Sequence, residues 1–233
     1  MNMLEHLDTD IRNQVLEVIK QNKRRQSVTK SNGISFTRLF DIIISVSALT
    51  VTLPIMFIIS FVLFSLNGNP IIFEQKRLGK NGKKFKILKF RTMRYDASDI
   101  LKKDPDLFKK YVENDYKIPA NEDPRLVKLG SFLRKTSIDE IPQFFNVLKG
   151  EMSIVGPRPI VPEEIERYEG FEKLFLSVKP GITGLWQITG RSDIEYPQRK
   201  YLDLLYIENK SLMFDIKIFF KTIRIVLFTR GAH

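Results

Sequence analysis

No charged side chain occurs between residues 42 and 66, and this run limits what the chain can become more than any other feature. At about 1.5 Å of rise per residue it forms about 37 Å of helix, enough to cross a bilayer. It starts too far into the chain and is too long for the apolar core of a cleavable signal peptide, and it lacks an A-x-A-like site. A buried helix in a soluble protein is seldom so long and so apolar. Pro54 lies in the middle of the run, where it removes one backbone hydrogen bond and clashes with the preceding turn, so a kink or break is expected there.

Basic residues then decide the topology. Lys20, Lys23, Arg24, Arg25, Lys30 and Arg38 precede the run, and Lys76, Arg77, Lys80, Lys83, Lys84, Lys86, Lys89, Arg91 and Arg94 follow it. Positive charge marks cytoplasmic flanks, so both ends are expected on the same side. A straight span would leave one cluster outside, whereas a re-entrant helix turning at Pro54 keeps both inside. Each arm, residues 42–53 and 54–66, would reach about 18–20 Å, part-way through the hydrocarbon.

The net charge of +11 calls for an anionic partner, and anionic membrane lipids, nucleotide phosphates and nucleic acid all qualify. Nucleic acid is disfavoured, because no helix-turn-helix, zinc or RNP-type signature accompanies the charge and the long apolar run argues against it. The absence of cysteine excludes disulfides, thiolate nucleophiles and sulfur-ligated zinc. His6 and His233 stand near the two ends, where chains are usually mobile, so imidazole is not expected as a base or metal ligand. Any acid, base or nucleophile is to be sought among Asp, Glu, Lys, Tyr, Ser and Thr.

Outside the apolar run, Leu4, Leu7, Ile11, Val15, Val18 and Ile19 recur at helical spacing, which predicts an amphipathic helix followed by a basic linker, together residues 1–35. Residues 71–74 and 84–89 read as short strands separated by a Gly79-Lys80-Asn81-Gly82 turn. Residues 98–112 are helical in pattern, interrupted or restarted at Asp104-Pro105, and another helix is expected from near Pro162, ended by Lys179-Pro180-Gly181. Residues 216–228 are apolar except for Lys217, Lys221 and Arg224 on one face, the pattern of a helix lying in the membrane interface. The expected fold is therefore α/β: a membrane-embedded re-entrant helix hairpin in residues 36–67 and a small cytoplasmic domain in 68–233. That domain has short strands and several helices, some amphipathic and interfacial.

The densest chemistry lies in residues 123–159. Ser137-Ile138-Asp139-Glu140 has the form of a capping box at the mouth of a helix running through Phe144 to Leu148. Pro142 fits only if that helix starts near Asp139, since proline is tolerated in a first turn. A helix N-terminus favours ionised carboxylates, so Asp139 would be charged at neutral pH.

Six pieces of sequence in order resemble the bacterial sugar transferases, the small monotopic phosphoglycosyl transferases that start glycan assembly on undecaprenyl phosphate. They are Arg38-Leu39-Phe40-Asp41 entering the apolar run, Pro54 within it, Lys89-Phe90-Arg91-Thr92-Met93, residues 134–143, Gly156-Pro157-Arg158-Pro159, and the stretch from Lys179-Pro180-Gly181 through Gly184-Leu185-Trp186-Gln187 to Gly190-Arg191. The resemblance extends from about Thr37 to the C-terminus.

It implies that Asp139 and Glu140 form the catalytic pair. Asp139 would attack the β-phosphate of a UDP-sugar, release UMP, and hold the sugar phosphate until undecaprenyl phosphate takes it. This would initiate a surface glycan such as exopolysaccharide, capsule or O-antigen, at the cytoplasmic face of a bacterial inner membrane. The pyrophosphate must be neutralised, and oxygen ligands suit Mg²⁺, with Glu140 and Asp139 as the candidate ligands. Arginine grips phosphate in a fork that lysine cannot reproduce, which singles out Arg91, Arg134, Arg158 and Arg191. Trp186 is read as a core or interface aromatic. Gly184-Leu185-Trp186-Gln187 resembles members using glucose or galactose. The alternative is a non-catalytic, membrane-anchored scaffold of a glycan assembly system.

Overall fold

The computed structural model describes residues 36–113, 118–119, 122–190, 194 and 196–228. The amphipathic helix and linker expected in residues 1–35 lie outside these described residues. The first described element is a single long helix, α1, Phe36–Asn67. It runs without interruption through Pro54; a proline deletes one hydrogen bond and can bend a helix without ending it. Its hydroxyls turn back on the helix: Thr50 donates to Val46 O, Thr52 to Ala48 O and Ser65 to Phe61 O. In an apolar surround each polar group needs such an internal partner. Val51, Phe57, Ile58 and Phe61 are all exposed, whereas Asp41, Ser45 and Leu49 form a buried stripe at i, i+4, i+8.

One small domain grips α1 at both ends. The Arg38 guanidinium donates to Val147 O at 2.5 Å and Leu148 O at 2.7 Å, and Asp41 accepts from Ser153 Oγ and the Ile154 N–H. Near the other end, Leu63 packs with Phe90, Val127 and Leu133, with Met56 and Ile59 beside them.

The domain is built from β1 (Ile72–Leu78), β2 (Lys84–Phe90), α2 (Ala97–Lys103), α3 (Pro105–Glu113), α4 (Gly130–Lys135), α5 (Gln143–Lys149), β3 (Ser153–Val155), α6 (Glu172–Phe175), β4 (Gly181–Thr183), α7 (Leu185–Thr189), α8 (Gln198–Glu208) and α9 (Leu212–Phe228). Strands β1 and β2 form an antiparallel hairpin with Ile72 opposite Phe90 and Leu78 opposite Lys84. Its turn needs left-handed backbone at Asn81 and Gly82, residue types that adopt it readily, and it falls where expected. The break between α2 and α3 also falls where expected: Asp104 is extended, and its Oδ1 accepts the Leu107 N–H at 2.9 Å.

Two features depart from expectation. The segment after Pro162 is a short 3₁₀ stretch, Pro162–Tyr168, followed by the brief α6, not one helix. Gly170 stands between them with φ +79°, a conformation no right-handed helix continues through. The second departure is the parallel pair β3–β4, Ser153 opposite Gly181 and Val155 opposite Thr183, which no local pattern announces. Gly156 and Gly181 let the two chains meet: a Cβ on Gly181 would collide with the Gly156 backbone nitrogen.

The main core joins Phe85 and Ile87 of β2, Val147 of α5, Ile154 and Val155 of β3, Tyr206 of α8 and Ile218 of α9. Phe40 of α1 stacks edge-on against Phe219 at 5.6 Å between centroids, so α9 lies beside the entry of the apolar helix. Along α9, Met213, Phe220, Ile223 and Val226 are exposed together with Lys217, Lys221 and Arg224.

Candidate active site

Strand β2 ends in Lys89-Phe90, and Phe90 is buried in the second core cluster. Alternation along an extended chain sends Lys89 to the other face. There its Nζ donates to Glu140 Oε1 at 2.6 Å. Burial opposes charge on Glu140, but Lys89, with Arg158 and Gln143, carries its pKa below the ordinary value.

The capping box expected at Ser137 is not formed. Ser137 has φ 56° and its side chain makes no cap bond. Residues Ile138–Glu140 make a single 3₁₀ turn, and Pro142 is the N-cap of α5. The physical reason is competition: Glu140 takes a cation on β2 in place of the Ser137 backbone N–H, and a charged partner wins over a neutral one.

Asp139 is 6% exposed. Burial raises its pKa to about 6, reinforced by the neighbouring Glu140 charge and moderated by Lys89 and Arg134. The carboxylate expected to be favoured by a helix N-terminus is instead held up by desolvation. It still ionises at neutral pH, and its raised basicity suits a nucleophile.

Arg134, in the last turn of α4, donates from Nε to Thr92 Oγ1 at 3.2 Å and lies close enough for its charge to act on Asp139. Arg158 is exposed between two buried prolines. Its loop is pinned on three carbonyls: the Gly181 N–H donates to Pro157 O at 2.9 Å, Arg77 Nη1 to Pro159 O at 3.0 Å and the Leu78 N–H to Ile160 O at 3.0 Å. Among the described residues the Arg158 guanidinium has no hydrogen bond or ion pair; it lies 5.9 Å from the centroid of the Trp186 ring. A rigid backbone thus presents an uncommitted fork.

Arg91 is placed differently from the other arginines. It is buried, and it donates to Asn67 O at 2.6 Å, Gly68 O at 3.0 Å and Asn69 O at 3.2 Å, with Tyr95 under its guanidinium at 4.6 Å. Its donors satisfy the carbonyls where α1 ends. Arg191 lies outside the described residues.

Lys89, Arg77 and Gln143 were not singled out from sequence. Lys89 and Gln143 carried the weak signal of lying in quoted motif pieces; Arg77 was marked only as one of the basic residues that follow the apolar run. For a metal, no group of three or more acidic or histidine side chains occurs among the described residues. Asp139 and Glu140 alone suit Mg²⁺, which commonly takes one or two carboxylates and completes its shell with substrate phosphate and water.

A small two-sheet domain clasped to an apolar helix carries the buried Asp139 and the half-buried Glu140 beside the cations Lys89 and Arg134. Residues 33–229 match the family model of the bacterial sugar transferases, and the chain belongs to that family. It is 42% identical over 213 residues to the undecaprenyl-phosphate galactose phosphotransferase of Salmonella typhimurium, covering 90% of this chain and 44% of that protein. It is 42% identical over 205 residues to the exopolysaccharide production protein ExoY of Sinorhizobium fredii, covering 86% of this chain and 89% of that one. It is 41% identical over 204 residues to the UDP-glucose:undecaprenyl-phosphate glucose-1-phosphate transferase of Klebsiella pneumoniae, covering 82% and 40%. The chain thus spans less than half the length of several curated relatives that it matches.

Proposed function

We propose that this protein transfers a sugar 1-phosphate from a UDP-sugar to undecaprenyl phosphate, releasing UMP, as the first step of a surface glycan. The observation that carries this is Asp139: a buried carboxylate with its pKa raised to about 6, set among Lys89, Glu140 and Arg134. In the first step an Asp139 oxygen bonds to the β-phosphorus as the bond from that phosphorus to the bridging oxygen breaks, and UMP departs with the oxygen. An acyl phosphate then holds the sugar. In the second step a phosphate oxygen of the prenyl acceptor attacks the same phosphorus, and Asp139 leaves as a carboxylate. Arg158 and Arg134 hold phosphoryl oxygens as charge develops, while Lys89 keeps Glu140 ionised and in place. Glu140 and Asp139 would hold Mg²⁺, which would supply charge neutralisation for the pyrophosphate. The names of the relatives favour galactose or glucose as the sugar.

The membrane arrangement is a re-entrant one, with the domain on the cytoplasmic face of the inner membrane. Its support is the grip on both ends of α1. Asn146 of α5 accepts the Leu88 N–H and donates to Lys86 O, so the Arg38 anchor on α5 and the Arg91 anchor after β2 belong to one connected unit. A straight helix crossing to the far side would carry one anchor out of reach. Pro54 is where the bend belongs.

The test is incubation of purified protein with Mg²⁺ and a panel of UDP-sugars, read as UMP release and intact mass. A stoichiometric burst of UMP and a sugar-phosphate adduct before acceptor is added are expected; strictly acceptor-dependent release would point to direct transfer. Cysteines placed at Gln26 and Asn81 are expected to label from the cytoplasmic side, and labelling from opposite sides would establish a true span.

A further inference from the structure

Beneath the Arg158 loop lies a charged group that the proposed chemistry does not use. Asp203 of α8 is 1% exposed. Its Oδ2 accepts the Tyr168 hydroxyl at 2.7 Å, and its Oδ1 is buried with no hydrogen-bond partner among the described residues. An isolated buried carboxylate is costly, so the charge must be answered by something close. The groups that answer it are, in order, the Tyr168 hydroxyl, the Arg158 and Arg199 guanidiniums and the Arg158 backbone amide. Burial still raises its pKa to about 7.

Both arginines lie against one aromatic: Arg158 at 5.9 Å and Arg199 at 4.9 Å from the centroid of Trp186. Arg158 is tied through its neighbours' carbonyls to β1 and β4, but those bonds fix the backbone and leave the guanidinium free to swing. A buried anion under the loop, together with the Trp186 face, supplies an orienting force that carbonyl acceptors do not.

We infer that Asp203, supported by Tyr168, is a positioning residue that holds Arg158 in the orientation needed to meet the donor's phosphate. The inference rests on the sugar-phosphate transfer proposed above. Asp203 touches no substrate; it acts through Arg158, and its loss matters only while Arg158 is present.

The experiment is a double-mutant cycle of Asp203→Asn with Arg158→Ala, measured as donor-dependent kcat/KM above the titration of Asp203, at about pH 8. Asp203→Asn keeps the side chain's shape and removes its charge. It is expected to lower kcat/KM about tenfold in the wild-type background and less than about twofold in Arg158→Ala, as coupled residues behave. Equal losses in the two backgrounds, or no loss in either, would overturn the inference, because a purely structural Asp203 would act additively with Arg158. If Asp203→Asn does not fold, Tyr168→Phe decides by the same cycle, since it removes one hydroxyl and no charge; a loss of about threefold that disappears in Arg158→Ala is then expected. Wild-type protein releasing no UMP would refute the transfer itself, and is thereby distinguished from a failure of the Asp203 assignment.

Discussion

Replacing Asp139 with asparagine should abolish the sugar-phosphate adduct and, at the same time, stabilise the fold. In the folded chain the Asp139 pKa rises from 3.8 to about 6, chiefly through burial. The folded state therefore holds this proton more tightly than the unfolded state, and ionising Asp139 costs stability. The cost is absent below about pH 4, where both states are protonated, grows as pH rises through about 6, and is complete above it. A shift of about two units corresponds to about 3 kcal/mol. Asparagine imitates the protonated form, so Asp139→Asn should be more stable than wild type by up to about 3 kcal/mol at neutral pH. In a domain of this size that raises the melting temperature by about 6–12 °C. Thermal melts of both proteins in the same detergent, run between about pH 4 and pH 7.5, measure it; the gap should close toward the acid end. A variant less stable than wild type at neutral pH, or a gap independent of pH, would show that Asp139 is not held at a desolvation cost. Intact-protein mass after incubation with UDP-sugar gives the second half, and an adduct persisting in Asp139→Asn would refute its assignment as nucleophile.

Lys89→Gln removes the cation that lowers the pKa of both Asp139 and Glu140; turnover should fall about a hundredfold, and the acid limb of the pH–rate profile should move to higher pH. An unmoved limb would exclude Lys89 from the electrostatics of the site. Arg91→Met strips the end of α1 of three charge-assisted hydrogen bonds and should cost about 3 kcal/mol, seen as a lower melting temperature. Arg158→Ala, on an exposed side chain, should lower the melting temperature much less than Arg91→Met, since Arg199 and Tyr168 still answer the Asp203 charge, while activity falls; the opposite pattern in the pair would reverse the roles given to these arginines. Chelation by EDTA should stop turnover without lowering the melting temperature, with recovery on adding Mg²⁺, since the two carboxylates need substrate phosphate to complete a metal site. Turnover that persists through chelation would remove the metal from the reaction.

Some of this protein could be read without its tertiary structure, because the signals are local. An uncharged run longer than a bilayer's half-thickness specifies an apolar helix whatever packs around it. Gly79 through Gly82 specify a turn by the backbone they allow, and Asp104-Pro105 specifies where one helix yields to the next. The Asp139-Glu140 pair and the arginine between two prolines were visible as residue types. What those side chains do depended on partners far away in sequence. Glu140 formed an ion pair with Lys89, 51 residues distant, in place of capping its own turn, and that choice follows from where β2 runs. Arg91 and Arg158 look alike on paper, yet one is buried at the end of α1 while the other projects from the surface. The same holds for the raised pKa of Asp139: desolvation is set by how many other segments close over a group, and no spacing along the chain encodes that. The strands β3 and β4, each of three residues, were invisible for a related reason, since so short a pair has no period to detect and is held by glycines that meet only when the chain has folded.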